Sequence, residues 1–230
     1  MKTIKVMTYN IRHGQGMDGK VDLARIARVV DDAAADIVAL QEVDDNWKRS
    51  GNIDQTWVLA HELNMNYQFG PALVKGKSRY GNALLSKLEG LSYNNHLLSS
   101  KRENRAMLEG YYDCAGRLIC VMNVHLGLST SERHAHLTYI LQHIGHLDLP
   151  LLLLGDLNMR PEDPEIERIN EVLFDGCTVL GMDFKTFPSV SPYARIDYIF
   201  YSPEWRVHEV NVIDSLASDH LPMIALLELD

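Results

Sequence analysis

The sequence predicts a layered α/β sandwich with α+β character, built as one domain over residues 1–230. Three observations predict it. Short apolar runs of strand length alternate with stretches of helical periodicity along the whole chain. No Pro-, Gly- or Ser-rich linker divides them. The two halves also repeat one plan: strand, polar residue, helix, apolar strand, carboxylate, strand, polar residue.

Taken in order, residues 4–10 alternate polar and apolar and read as a strand. Leu23, Ile26, Val29, Val30 and Ala33 recur at helical spacing behind Asp22, a good N-cap. Residues 37–40 are apolar on both faces, the pattern of a buried strand. Residues 57–63 read as helix, and residues 83–85, 106–112 and 118–125 as strands. A long helical stretch covers 130–147, followed by a second buried strand at 151–154 and a helix at 165–173. Strands at 196–201, 207–213 and 223–227 close the chain.

Val6-Met7 recurs 115 residues on as Val121-Met122. At that offset Asn10 falls on His125, Asn82 on Asp197 and Arg105 on His220. One position shorter, Glu42 falls on Asp156 and Asp44 on Asn158. A true duplication predicts two similar β-layers facing each other, with these polar residues meeting at one edge.

Composition bounds the function. The chain is 46% hydrophobic and 23% charged, which excludes disorder and low-complexity architectures. Its net charge of −9 disfavours a tight grip on duplex nucleic acid, which requires a basic footprint. Cys114, Cys120 and Cys177 have no metal-ligand spacing and read as free thiols of a reducing compartment. The N-terminus carries no apolar signal core, and the longest apolar run, at 149–154, is too short to span a bilayer. The expectation is a cytoplasmic protein with no integral membrane segment and no obligate protein partner.

The candidate chemistry sits just after apolar strands, where loops hold functional groups on a rigid scaffold. Asn10 ends the first strand and Glu42 follows the second. Asp156 and Asn158 follow the leucine run, and residues two apart in extended chain point the same way. Arg195 and Asp197 share a face by the same rule. Asp219 and His220 precede Leu221-Pro222, so a turn presents both. Singly, each is a common turn former or buried polar residue. Together, carboxylates with Asn oxygens suit Mg²⁺ or Mn²⁺, and histidines with a carboxylate partner suit proton transfer. The set points to metal-assisted hydrolysis of a phosphate ester.

Seven motifs in order carry a resemblance: Tyr9-Asn10-Ile11, Leu40-Gln41-Glu42-Val43-Asp44, Tyr80-Gly81-Asn82-Ala83, Asn123-Val124-His125-Leu126, Gly155-Asp156-Leu157-Asn158, Arg195-Ile196-Asp197-Tyr198 and Ser218-Asp219-His220-Leu221-Pro222. Together they resemble the endonuclease/exonuclease/phosphatase superfamily, the fold of pancreatic deoxyribonuclease, abasic-site endonucleases, neutral sphingomyelinases and inositol-polyphosphate 5-phosphatases. The resemblance implies four layers, two mixed sheets face to face with helices outside. It implies that Glu42 is the principal Mg²⁺ ligand, with Asn10 beside it and Asp219 at the metal edge. Asp156 would orient or deprotonate the attacking water, and Asn158 would position that water or the scissile phosphate. Asp197 would hold one nitrogen of His220 so that the other faces the phosphate, and His125 would face the phosphate and serve the leaving group.

Basic residues gather near these motifs: Arg12 and His13; Lys48 and Arg49; Lys75, Lys77 and Arg79; Lys101, Arg102 and Arg105. Solvated loop charge explains each cluster on its own. Arg105, Asn82, Arg49 and Arg79 are the candidates for substrate contact, Arg105 first because a guanidinium fits phosphate and the repeat places it opposite His220. His143 and His146 are helical i, i+3 neighbours that can chelate a soft metal or simply form a polar face. The expected function is divalent-metal-dependent hydrolysis of a phosphodiester in a nucleic acid, nucleotide or phospholipid head group. The alternatives are a phosphomonoesterase of inositol-phosphate or nucleotide type, a sphingomyelinase-like activity, and a non-catalytic binding module.

Overall fold

The computed structural model describes residues 2–101 and 103–230. Its elements run β1 (Lys2–Asn10), α1 (Leu23–Ala33), β2 (Ile37–Asp45), α2 (Gln55–Leu63), β3 (Asn66–Lys75), β4 (Ser78–Ser86), β5 (Gly90–Leu98) and β6 (Arg105–Cys114). The second half continues with β7 (Arg117–His125), α3 (Thr130–Ile144), β8 (Leu151–Asp156), α4 (Pro164–Asn170), β9 (Phe174–Asp175), α5 (Gly176–Val179), β10 (Asp197–Tyr201), β11 (Trp205–Val212) and β12 (Met223–Leu229).

Two mixed six-stranded sheets result, ordered β11-β12-β1-β2-β4-β3 and β5-β6-β7-β8-β10-β9. Their plans match strand for strand. In each, a hairpin precedes a parallel pair (β1 with β2, β7 with β8), and an antiparallel strand (β4, β10) then a short or irregular edge complete the sheet. The duplication read from the sequence is thus realised as two sheets of equal topology.

Alternation explains the layers. Val6, Ile37, Ala39, Leu152, Leu154 and Ile199 point between the sheets and form the central core. Their neighbours Val38 and Leu40 turn outward under α1 and α2. Likewise Leu151, Leu153, Tyr198 and Phe200 turn outward under α3 and α4. The four-layer α/β sandwich expected from the motifs is the fold observed. Asp22 caps α1 by accepting from Ala24 and Arg25 N–H, and Ser129 with Glu132 forms a capping box on α3. α3 stops at Ile144, short of the expected 147, because Gly145 follows. β3 and β5 were not anticipated; both flank β4 or β6 as exposed outer strands, and β3 carries Gly70 and Pro71. Arg102, one of the expected basic residues, lies outside the described residues.

Candidate active site

The carboxyl ends of β1, β2, β7 and β8 lie at one end of the sandwich, and the polar residues gather there. In the second sheet the register is continuous: Ala106 pairs with His125, His125 with Asp156, and Asp156 with Asp197. Three strands therefore present His125, Asp156 and Asp197 in a row. In the first sheet Asn10 pairs with Gln41, and the β2–β4 register slips between Leu40 and Val43. That bulge holds Glu42 at φ 59°, the left-handed region, and re-aims its carboxylate out of the sheet. The loop before β12 supplies Asp219 and His220. It is tied to β1 where the Ser218 hydroxyl donates to the Asn10 carbonyl at 2.7 Å.

Asp156 is the hub. Its Oδ2 accepts from Asn10 Nδ2 at 3.0 Å and lies 3.6 Å from His125 Nε2 and 3.7 Å from His220 Nε2. Its Oδ1 accepts from the Asn158 backbone N–H at 2.9 Å. The Asn10 amide also reaches Glu42 Oε1 at 3.3 Å, so one side chain joins a carboxylate from each sheet. His220 Nδ1 donates to Asp197 Oδ2 at 2.9 Å, which leaves Nε2 turned toward Asp156. Asp197 Oδ1 is buried with no hydrogen-bond partner among the described residues. Asp219 sits at the rim, 3.5 Å from Arg12 Nε.

The electrostatics follow from burial and from this crowding. Asp156 is enclosed and pushed up to about 7, chiefly by burial and further by Asp197. Burial opposes charge on His220, but Asp197 and Asp156 outweigh it and hold the imidazole up at about 10. Burial, with Arg105 and His220 nearby, pushes His125 well below its ordinary range, so it is neutral. Burial also raises Glu42, against its hydrogen bond from Asn10.

The Glu42 and Asp219 carboxylates offer oxygen donors to a hard cation, whereas Asn10 turns its Nδ2 to Glu42 and its Oδ1 accepts from the Arg12 N–H. The fit rests on Glu42: a half-buried carboxylate, raised by burial, whose one hydrogen bond from a side chain among the described residues is the long one from Asn10. A small divalent ion that keeps waters and takes one or two carboxylates suits such a place.

Asn158 does not project alongside Asp156 in extended chain. β8 ends at Asp156, and Asn158 turns at φ 52° and donates its amide to the Leu126 carbonyl at 3.1 Å. The expectation that Arg195 shares a face with Asp197 fails. β10 begins only at Asp197, and Arg195 swings over the Tyr198 ring at 4.5 Å to make two hydrogen bonds to Asp175. Asn82 bridges the sheets, donating to the Ala106 and Asn123 carbonyls at 2.8 and 3.3 Å. Arg105, bonded to Glu103 at 2.8 Å, acts electrostatically on Glu42 and His125. Arg49 is held by both oxygens of Asp44 and Arg79 by Asp45, so both flank the site with their charge already paired.

A second buried pair carried no expected role. Gln41 donates to Asn123 Oδ1 at 2.8 Å across the sheet interface, while Asn123 donates to the Leu40 and Ala83 carbonyls. A lone polar residue inside each apolar run was the available signal.

The sequence profile of the Endonuclease/Exonuclease/phosphatase family matches residues 7–220. YbhP of Escherichia coli K12, an uncharacterised protein, is 29% identical over 216 residues, covering 86% of this chain and 84% of its own. An endonuclease/exonuclease/phosphatase from Bacteroides vulgatus superposes with a TM-score of 0.85 at 21% identity, covering both chains completely. The mannosyl-6-phosphatase Bt3783 of Bacteroides thetaiotaomicron superposes at 0.80 with 20% identity, covering 98% of this chain and all of that one. The match runs from β1 to His220 and so includes every element that builds the polar cluster; the chain belongs to the Endonuclease/Exonuclease/phosphatase family, whose members act as phosphoesterases.

Proposed function

We propose that this chain, acting as a single domain, is a divalent-metal-dependent hydrolase of a phosphodiester, with water attacking in line. The observation that carries the reading is the convergence on Asp156 of Asn10, His125 and His220 from both sheets beside the Glu42 carboxylate. A Mg²⁺ or Mn²⁺ held by Glu42, with Asn10 and Asp219 beside it, would supply Lewis-acid stabilisation of phosphoryl charge.

The chain's own groups divide the remaining work. Asp156, raised toward neutrality, is matched to accept a proton from the attacking water. Asn158, pinned to Asp156 and Leu126, orients that water or the phosphate. His220, kept cationic by Asp197, stabilises charge growing on the phosphoryl oxygens. Neutral His125 donates a hydrogen bond to the phosphate or the leaving oxygen, and Arg105 adds a fixed positive charge at the rim. Asn82 positions the strands beneath.

A phosphomonoesterase is the second reading, favoured by the similarity to a mannosyl-6-phosphatase. The −9 charge favours small or single-stranded substrates over long duplexes. Three free buried cysteines accord with a cytoplasmic setting. Among the described residues no helix is long and apolar enough to cross a membrane.

The deciding experiment compares bis-p-nitrophenyl phosphate, p-nitrophenyl phosphate, single-stranded oligonucleotide, nucleotides and inositol phosphates, each with Mg²⁺, Mn²⁺ or EDTA. Turnover of diesters should exceed that of monoesters and vanish with EDTA. Glu42→Ala should lower it about a thousandfold or more, a loss of roughly 4 kcal/mol, with an unchanged circular dichroism spectrum. Full activity in that variant overturns the metal assignment.

A further inference from the structure

A second cluster of metal-competent side chains lies on the outer face of the second sheet. Glu109 on β6 is completely buried, and its side chain shares the strand face of Met107, which packs under α3. His143 on α3 places Nε2 2.8 Å from Glu109 Oε1, and His96 on β5 places Nε2 2.9 Å from Oε2. The three ligand atoms lie within 4.8 Å of one another. The pairing of His143 is with His96, whose ring centroid is 4.8 Å away, and not with its helical neighbour His146.

We propose that His96, Glu109 and His143 bind a Zn²⁺-class divalent cation separate from the catalytic one. Two imidazoles and a carboxylate are a donor set for zinc, whereas the oxygen cluster around Glu42 suits magnesium. The ligands come from three elements and aim inward, which sequence-local helix pairs do not. His96 carries the outer partner such ligands have: its Nδ1 meets the Tyr139 hydroxyl at 2.8 Å, which directs Nε2 at the carboxylate. Three protein ligands leave the fourth position to a water; the buried Cys120 thiol, 3.8 Å from Glu109 Oε1, lies outside the triad. Tetrahedral bonds near 2 Å require ligand atoms about 3.3 Å apart, so the two close contacts open by a few tenths of an ångström as an ion enters. The ion would pin the outer strand β5, supported by a neighbouring strand only on its β6 side, to helix α3.

The test uses the full chain carrying Glu42→Ala, stripped with chelator and dialysed against Zn²⁺ or Co²⁺. One equivalent should bind saturably, raise the thermal midpoint, and give Co²⁺ the intense visible absorption of a four-coordinate ion. His96→Ala and His143→Ala should each weaken binding more than about 100-fold and abolish the thermal shift, and Tyr139→Phe should weaken it about 10-fold. Failure to saturate, or unchanged binding in both histidine variants, overturns the proposal. So does a weak six-coordinate Co²⁺ spectrum in the parent, a readout that does not depend on the histidine variants folding.

Discussion

Asp197 and His220 form the pair at the site whose roles separate most cleanly. Asp197 fixes one imidazole nitrogen at 2.9 Å and, with Asp156, raises the ring to about 10 although burial opposes charge there. A function that needs the imidazolium is therefore retained through neutrality and lost as pH rises through about 10. Asp197→Ala should lower kcat and also move this alkaline limit downward, because the ring falls back toward its ordinary range. His220→Ala should cost about 10²–10⁴ in turnover, more than Asp197→Ala, with little change in KM. A pH–rate profile of Asp197→Ala that retains the parent's alkaline limit contradicts the coupling. Asn10, Glu42, His125 and Asp156 were legible because each closes an apolar run, and Asp197 and His220 because each precedes one; their directions were legible only while the strand lasted. Arg195 and Asn158 lie beyond strand ends, where the two-residue rule no longer holds, and one turned to Asp175 while the other closed a turn on Asp156.

Elements place those residues, and two of them make checkable demands. Gly155, next to Asp156 in β8, has φ 149°, and a Cβ there would stand 2.0 Å from the Val124 carbonyl oxygen of the parallel neighbour β7. Backbone conformation and close approach both require glycine. Gly155→Ala should destabilise by about 3 kcal/mol or more and displace Asp156, lowering turnover together with the thermal midpoint. Unaltered activity and stability would contradict the strand placement. Glu109 makes the second demand, on β6. Burial opposes its charge, but hydrogen bonds from His143, His96 and Tyr111 hold it down at about 2, against an ordinary 4.5. A depressed carboxyl contributes stability above pH 4.5 that is lost as pH falls toward 2. In the metal-stripped chain Glu109→Gln should be less stable than the parent near neutrality, with the gap closing over that window; a constant gap removes the assignment. Central strands were readable because burial on both faces makes them continuously apolar, as 37–40 and 151–154 are. The outer strands β3 and β5 mix exposed polar and apolar residues, and Glu109 was unremarkable until β5 and α3 were seen to close over it.

At the scale of the molecule the two halves are interleaved. The first sheet is completed by β11 and β12, which come from the second half of the chain, and the second sheet by β5 and β6, which come from the first. β12 pairs with β1 as β6 pairs with β7, so the opening between residues 230 and 1 corresponds to the turn at Ala115-Gly116. Residues 1–115 expressed alone therefore have β5 and β6 without their sheet and β1 without its antiparallel neighbour. They should yield no folded site, since Asp156, Asp197 and His220 are also lost. Exchanging the order of the halves is a different matter. Lys2 lies opposite Leu229 in the β1–β12 register, so a short Gly/Ser linker can join the ends. Ala115 and Gly116, at φ 57° and 88°, form an exposed two-residue turn that can be opened. A chain running 116–230, linker, 1–115 retains every strand pair and every residue of the polar cluster. It should fold cooperatively and retain turnover within about tenfold, while the separated half 1–115 should be unfolded by circular dichroism. A permuted chain that fails to fold, or a half that folds alone, would refute the view that the site is the seam of two interlocked repeats.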